Sequence, residues 1–382
     1  MRSRGPFACS LLLLVAIGPG SGCIFWHLGE DGGTAQGGSA AGGPAHGGQG
    51  ALGGAGAAGG AGGGGGAGGG LGLPAKLGPL PGTRALAWNG SVGAALTELS
   101  TPALYRFDLE EITLAVPNLS GATGELAVLP NGSPLLAFLS PPSLRACAPP
   151  DFECATWGTA GATLFSGVAA YQEVALTVQR DPPTLRIHDK DGAVLSALIA
   201  KAVPPSNDAG KGGQVTAAGC AGVQLGVAWT TETNAGTGAL RFAKQDASTE
   251  DLTIAHEWLV GGELGQPAIE PSCAIVAPAL LETGAYRRWQ ASESDPETLS
   301  VDMPQVDGSV HAVVGASKLF LTTQGSRGIE VLACPAGAAA PAECVSTNLG
   351  CQSVGGMAAR GDDPEGDRVV FTCGNDLYVW SP

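Results

Sequence analysis

Eight cysteines from residue 147 onward are the residues whose chemistry the sequence states most clearly. Thiols in such a set can pair as disulfides or hold zinc. An even number in a chain that leaves the cytoplasm favours disulfides. Zinc is the alternative, but no C-x2-C spacing and no neighbouring histidine supports it. The disulfide candidates are Cys147, Cys154, Cys220, Cys273, Cys334, Cys344, Cys351 and Cys373.

The histidines and two acidic turns are the other groups that could do chemistry. His188, His256 and His311 fall on different predicted strands, with no carboxylate or nucleophile at a fixed spacing. The acidic turns could supply oxygen ligands to calcium, but solvated hairpin turns are the preferred interpretation. They contain Asp189 and Asp191, and Asp362, Asp363, Glu365 and Asp367. We therefore predict no catalytic residue, no metal site and no cofactor.

Motifs and charge exclude several classes of protein. The sequence contains no G-x-S-x-G elbow, no H-E-x-x-H, no Walker loop and no dinucleotide-binding glycine pattern followed by a helix. The formal net charge of the 382 residues is −15. An acidic surface repels phosphate backbones and anionic lipid headgroups. We expect no nucleic-acid partner and no peripheral binding to a membrane surface.

The first 22 residues have the pattern of a secretory signal peptide. Arg2 and Arg4 precede an apolar run over about residues 7–17, which is too short to span a bilayer. The segment ends in Gly20-Ser21-Gly22-Cys23, which resembles the lipobox of bacterial lipoproteins. The resemblance implies that Cys23 carries acyl chains such as palmitate and becomes the first residue of the mature protein. Ordinary signal cleavage, with Cys23 as a spare thiol, is the alternative.

The lipobox resemblance also implies a location. Ile24, rather than Asp, follows the cysteine, which resembles the outer-membrane-directed case among lipoproteins of Gram-negative bacteria. We expect a lipoprotein of the bacterial cell envelope, held on the outer membrane through its lipid and facing either the periplasm or the surface.

Glycine and alanine dominate the segment that follows. Residues 32–72 are Gly and Ala with scattered Ser, Gln and Pro, and residues 73–81 form a Pro-rich continuation. Such a stretch has little apolar surface to bury, so the sequence predicts a disordered tether. The predicted organisation is a signal peptide over residues 1–22, a lipidated cysteine and tether over 23–82, and one folded domain over 83–382.

The folded part reads as short strands in groups of four. Seven groups follow one another, and their second strands start 38 to 51 residues apart, near Val92, Leu135, Glu173, Val223, Ala274, Leu319 and Val369. Asn-Gly and Asp-Gly pairs, as at Asn89-Gly90, are typical of hairpin turns. Four short strands per repeat indicate an all-β fold, a β-propeller of seven blades, with six as the alternative count. A row of β-sandwich domains is the competing fold.

One repeat carries a family resemblance. Residues 361–380 read GDDPEGDRVVFTCGNDLYVW, and residues 129–140 read LPNGSPLLAFLS. Both resemble the repeat of TolB-type, WD-like propellers, in which an acidic-Gly turn precedes the second strand. The resemblance implies a propeller that serves as a scaffold.

The phase of the strands suggests how the cysteines pair. Cys147 with Cys154, and Cys334 with Cys344, flank the third-to-fourth-strand turns of their groups. Cys351 and Cys373 fall on neighbouring first and second strands. Cys220 and Cys273 remain, and each lies in a first-to-second-strand turn of adjacent groups.

Closure of the ring requires one more strand than the last group contains. An open ring would leave two sheet edges free to pair with other chains. We predict that residues 84–88 leave the first group and pair beside residues 377–380 as the outer strand of the last blade.

The function that the sequence favours is a non-catalytic interaction platform on a lipid anchor. Its partners would be the membrane, through the lipid, and a protein whose identity the sequence does not indicate. A glycan- or small-ligand-binding propeller is the alternative and would need tryptophans exposed on one face, whereas Trp229, Trp258, Trp289 and Trp380 are expected to pack in the core. A propeller hydrolase or lyase is a further alternative.

Overall fold

The protein is described by a computed structural model. It describes residues 72–98, 101–158, 164–201, 211–232, 237–246, 252–280, 284–306, 308–338, 341–360 and 366–382. Within these ranges the structure is almost entirely β, with one short 3-10 helix, Pro341–Glu343. The predicted signal peptide, Cys23 and most of the predicted tether lie outside the described residues.

The described strands form seven four-stranded antiparallel sheets, the blades of a propeller. The bounds of the strands, in chain order, are β1 Ala75–Pro79, β2 Thr83–Trp88, β3 Gly93–Thr97, β4 Ala103–Phe107, β5 Ile112–Val116, β6 Ala122–Val128, β7 Pro134–Leu139, β8 Pro142–Ala148, β9 Glu153–Thr156, β10 Phe165–Tyr171, β11 Val174–Gln179, β12 Thr184–His188, β13 Val194–Ile199, β14 Lys211–Cys220, β15 Val223–Glu232, β16 Thr237–Asp246, β17 Thr253–Gly261, β18 Ala268–Ile269, β19 Ile275–Ala279, β20 Ala285–Trp289, β21 Glu297–Thr298, β22 Ala312–Val314, β23 Lys318–Gly325, β24 Gly328–Pro335, β25 Val345–Ser346, β26 Met357–Ala359, β27 Val369–Cys373 and β28 Asp376–Trp380.

Blades 1 to 6 are β2–β5, β6–β9, β10–β13, β14–β17, β18–β21 and β22–β25, and each runs from its innermost to its outermost strand. Blade 7 has the order β26, β27, β28 and β1. The prediction of an all-β, seven-bladed propeller is therefore confirmed, and the groups of strands found in the sequence are the blades.

The predicted closing strand was wrong. Residues 84–88 stay in β2 and pair with β3, for example Trp88 with Gly93. The ring closes instead through β1, which pairs with β28 from Ala75 opposite Val379 to Pro79 opposite Asp376. This strand comes from the Pro-rich segment assigned to the tether. Proline cannot donate to a ladder, but an outermost strand needs no donor on its free side, so Pro79 is tolerated there.

Apolar side chains pack between adjacent blades. Between blades 3 and 4 the cluster includes Leu176, Leu185 and Trp229, and between blades 4 and 5 it includes Phe242 and Trp289. Strands alternate their side chains between two faces, so each inner strand supplies residues to two such clusters. The core is thus a ring of seven clusters rather than a single centre.

Turn chemistry fixes which residues reach the two faces of the disc. Gly90 and Gly192 adopt φ of 94° and 88°, as the Asn-Gly and Asp-Gly pairs predicted. Strands alternate in direction, so the turns after the first and third strands of each blade share one face. We call this the near face, because Gly72 lies on it, where its carbonyl accepts a hydrogen bond from Trp380 Nε1 at 2.8 Å. The far face carries the second-to-third-strand turns and the connections between blades.

Candidate binding site around the central channel

The seven innermost strands surround a central channel of about 180 Å³. Its wall consists mainly of small or aliphatic side chains, and each inner strand packs beside its two neighbours around the axis. The wall includes Leu86, Leu126, Val168, Ala217, Ala268 and Val313. Side chains of this kind exclude water from a ligand but supply no group for acid–base or nucleophilic chemistry.

Polar groups gather where the channel opens on the near face. Asn89, Tyr171, Gln172 and Arg360 line this mouth. Gln172 Nε2 donates to the Tyr171 hydroxyl at 3.1 Å, and Asn89 Nδ2 donates to the carbonyl of Leu129 at 3.4 Å. The second contact joins the first turns of blades 1 and 2.

A buried carboxyl lies near the far-face ends of the inner strands. Glu125 of β6 accepts a hydrogen bond from Gln214 Nε2 of β14 at 3.1 Å. Arg84 approaches from blade 1, and a Cβ atom at Gly124 would lie 2.6 Å from its Nε. Burial raises the pKa of Glu125 to about 7, against the opposing effects of the Gln214 hydrogen bond and the Arg84 charge. Part of the side chain remains accessible, yet protein atoms surround the carboxyl, so burial dominates.

The three candidate histidines lie in three different blades. His188 is buried in β12, where Nδ1 donates to the carbonyl of Gly192 at 3.2 Å and Nε2 lies 2.9 Å from the Thr177 hydroxyl. His311 donates from Nε2 to the carbonyl of Val354 at 2.8 Å. Burial lowers the pKa of His188 and of His311. Each neutral imidazole therefore fixes the backbone carbonyl that it contacts.

His256 and the tryptophans have packing roles. His256 stacks against Trp258 in β17, with ring centroids 5.5 Å apart. Trp229 is fully buried, and Trp258, Trp289 and Trp380 are exposed by 8% or less. No exposed aromatic face is therefore available from these four residues for stacking on a sugar ring.

The described carboxylates of the acidic turns accept hydrogen bonds from backbone amides. The Asp189 carboxylate accepts from the amides of Asp191 and Ala193 at 3.0 and 2.8 Å. The Asp367 carboxylate of blade 7 accepts from the amides of Ser317 and Lys318 in blade 6 at 2.6 and 3.0 Å. Asp362, Asp363 and Glu365 lie outside the described residues. Among the residues that are described, no group of three or more His, Cys, Asp and Glu side chains is placed to hold a metal ion.

The cysteines form four disulfides, in the pairings that strand phase suggested. Cys147–Cys154 and Cys334–Cys344 lie within blades 2 and 6, at the third-to-fourth-strand connection. Cys220–Cys273 joins blade 4 to the first turn of blade 5. Cys351–Cys373 joins the connection before blade 7 to β27, so Cys351 precedes the first strand of that blade and does not lie on it as predicted. Cys23 lies outside the described residues. No helix in the described part of the chain has the length and hydropathy needed to cross a bilayer.

A buried ion pair in blade 5, which no sequence pattern indicated, binds the backbone of blade 6. Arg288 Nη2 donates to Glu270 Oε1 at 2.9 Å, and the two side chains are 2% and 0% exposed. Arg288 also donates to the carbonyl of Ala338, and the amide of Gly337 donates to Glu270. Glu270 and Arg288 therefore anchor the third-to-fourth-strand connection of the next blade.

Comparisons with known proteins support the fold alone. No protein-family model and no curated protein matches the chain. Among solved structures it is similar to a streptogramin B lyase, with a TM-score of 0.55, 11% identity and coverage of 81% of this chain and 97% of that chain. It is also similar to the WD40 repeats of RRP9, with a TM-score of 0.54, 10% identity and coverage of 81% and 99%.

A third similar structure is the virginiamycin B lyase from Staphylococcus aureus, with a TM-score of 0.53, 11% identity and coverage of 78% and 94%. Because lyases and WD40 repeats share this architecture at the same low identity, the likeness indicates a seven-bladed β-propeller and leaves the activity to be argued from the chain's own surface.

Proposed function

We propose that this chain is a lipoprotein of the bacterial cell envelope, anchored on the outer membrane through acylated Cys23, whose propeller binds a protein partner and does not catalyse. The lipobox-like Gly20-Ser21-Gly22-Cys23 supports the anchor. The four disulfides are consistent with an oxidising compartment outside the cytoplasm.

The observation that carries the platform proposal is the distribution of apolar residues over the two faces. Leu139, Leu280, Val306 and Leu349 lie on far-face turns and connections and are 38% to 51% exposed. On the near face, Leu73 lies beside Gly72, and Val194 and Ile254, 43% and 38% exposed, lie at the starts of the outer strands β13 and β17. Exposed apolar residues that cluster on loops are typical of protein interaction surfaces, and Leu280, Val306 and Leu349 lie on the neighbouring blades 5 to 7.

Loop length points to the same face. Residues 299–311 and 347–356 connect blades on the far face and are longer than residues 336–344 and 360–368, which form turns on the near face. Long connections on a rigid scaffold are where binding residues usually lie. Gly72, the first described residue, lies on the opposite, near face.

The alternatives receive less support. A glycan-binding site would need exposed aromatic rings, and the four strand tryptophans are packed in the core. A hydrolase or lyase would need carboxylates or histidines converging on the channel, whereas His188 and His311 hold backbone carbonyls in separate places and His256 stacks on Trp258.

The anchor is tested by mass spectrometry and fractionation. Mature protein should begin at an acylated Cys23 and sediment with membranes, and Cys23→Ser should release it to the soluble fraction. A free, unmodified amino terminus at another residue would contradict the anchor.

The platform is tested by crosslinking in the native cells. Leu280→Asp and Leu349→Asp on the far face should remove a crosslinked partner band, while Leu114→Asp should leave it intact. Leu114 is a matched control because it is 53% exposed on the outer strand β5. Equal loss in all three variants, or no loss in any, would contradict binding through the far face.

A further inference from the structure

In the described part of the chain, the outer strand of blade 3 is a sheet edge with little of the usual protection, since a bulge at Leu195 is its one irregularity. Outermost strands expose unpaired peptide groups and usually carry charges, prolines or very short lengths that prevent pairing with another chain. Strand β13 reads VLSALI and contains no charge, proline or glycine. Its exposed side chains include Val194 at 43%, Leu195 at 62% and Ile199 at 65%.

The other outer strands are protected in the ways just described. β1 contains Lys76 and Pro79, β5 lies between Glu111 and Pro117, β9 contains Glu153, β17 contains His256 and Glu257, and β21 and β25 have two residues each. The comparison makes β13 the outer strand best suited to pair with a further strand.

The backbone on the free side of β13 is directed to accept a partner. Ala200 donates its amide to the carbonyl of Pro183, so Ala200 points toward the neighbouring strand. Alternate residues of an antiparallel ladder point the opposite way. The ladder is regular from Ser196 to Ile199, and a bulge at Leu195 shifts its register between Ile187 and His188. Ala197 and Ile199 therefore direct their amide and carbonyl groups to the open edge.

We propose that β13 pairs antiparallel with β13 of a second copy of this chain, with Ala197 near the two-fold axis. Pairing about Ala197 brings Ile199 opposite Leu195 of the other copy. Ala197 and Ile199 share one face of the strand, and Leu195, which lies in the bulge, is exposed next to them. The two copies would therefore form a continuous apolar patch. Contacts of this isologous kind close after two copies.

Charges at the two ends of the strand complement each other in this arrangement. The turn before β13 carries Asp189, Lys190 and Asp191, two carboxylates and one ammonium, for a net charge of −1. Lys190 lies 3.1 Å from Asp191 within the copy. Lys201 follows the strand and is exposed. Antiparallel pairing sets each Lys201 beside the acidic turn of the other copy. This attraction favours a second copy of the chain as the partner, although the protein surface as a whole is acidic.

The test is sedimentation of the full chain carrying Cys23→Ser over a concentration series. The mass should rise from monomer toward dimer as concentration increases. Ala197→Pro removes only the amide that points to the open edge, so it should weaken dimerisation at least tenfold while thermal unfolding at low concentration stays unchanged. Ile199→Lys should weaken it similarly by placing a charge in the apolar patch.

Leu259→Lys is the matched control, because Leu259 is 59% exposed on β17, the outer strand of the next blade. It should leave dimerisation unchanged. The proposal is wrong if the parent chain stays monomeric up to about 100 μM, well above the micromolar dissociation constants of weak specific complexes. It is also wrong if Ala197→Pro and Leu259→Lys have equal effects.

Discussion

Ala75 lies directly opposite Val379 in the ladder that closes the ring. The pairing joins the first described strand to the last and completes blade 7. Leu80, which follows β1, is fully buried in the cluster that contains Leu377. The ring is therefore held shut by apolar burial as well as by backbone hydrogen bonds.

Deleting residues 73–81 should accordingly lower the free energy of unfolding by at least about 3 kcal/mol, from the loss of Leu80 burial and the ladder bonds. Deleting residues 32–71, which the sequence predicts to bury nothing, is the control and should have no effect. Chemical denaturation of the two variants checks this, and equal stabilities would rule out closure through β1.

The disulfide between blades should contribute more than the disulfides within a blade. Cys220 and Cys273 are 53 residues apart, whereas Cys147 and Cys154 are 7 apart. Closing the longer loop removes more entropy from the unfolded chain, about 4 against about 2 kcal/mol. Denaturation of the Cys220→Ala/Cys273→Ala and Cys147→Ala/Cys154→Ala double variants should rank in that order. The reverse order would mean that native-state strain or residual structure dominates.

Glu125 should make stability depend on pH. Its pKa is raised from 4.5 to about 7 in the folded protein. Between these values the folded state holds a proton that the unfolded chain has released, so the free energy of unfolding falls as pH rises through this window and stays low above it. Glu125→Gln retains an acceptor for Gln214 without the charge. The variant should be more stable than the parent at pH 8, by about 1–3 kcal/mol.

The measurement is urea denaturation of parent and variant from pH 4.5 to 8. His188 and His311 have lowered pKa values and give the opposite slope in the acidic half, so the difference between parent and variant isolates Glu125. Glu110→Gln, on an exposed turn, should leave the profile unchanged. A parent–variant difference that does not vary with pH would mean that Glu125 ionises normally.

Breaking the Arg288–Glu270 pair should be costly because Arg288→Ala would leave Glu270 as a buried, unpaired carboxylate. Arg288→Ala should therefore lower the free energy of unfolding by about 3–5 kcal/mol. Glu270→Ala should cost less, because Arg288 keeps its contact with the Glu297 carboxylate at 3.0 Å. The exposed pair of Lys76 and Asp376, 2.7 Å apart, is the control, and Lys76→Ala should have a much smaller effect because solvent screens the pair. If the double variant Glu270→Ala/Arg288→Ala loses the sum of the single effects, the two residues are not coupled.

The features that the sequence predicted are those built from neighbouring residues. Hairpins such as β27–β28 join strands a few residues apart, so turn chemistry and apolar runs reveal them together. The cysteine pairings followed because disulfides such as Cys334–Cys344 recur at one position in the repeat. The same periodicity of the repeat also predicts the number of blades.

The features that the sequence missed depend on contacts between distant segments. Residues 73–81 look like a linker, since proline and glycine suit a linker and a short edge strand alike. Glu125 and Gln214 are 89 residues apart, and no spacing rule links one inner strand to another across the channel. The Arg288–Glu270 pair could not be predicted from the sequence either, because a charged residue in a strand is ordinarily expected at the surface.

The position of the chain ends has a mechanical consequence. Ala75 begins β1 and Trp380 ends β28 at the same end of one antiparallel ladder. A force that separates Gly72 from Pro382 would therefore open this ladder from that end, one hydrogen bond after another, rather than shear all of its bonds at once. Under tension between its two ends, the propeller would yield at this seam at low force while the other six blades remain intact.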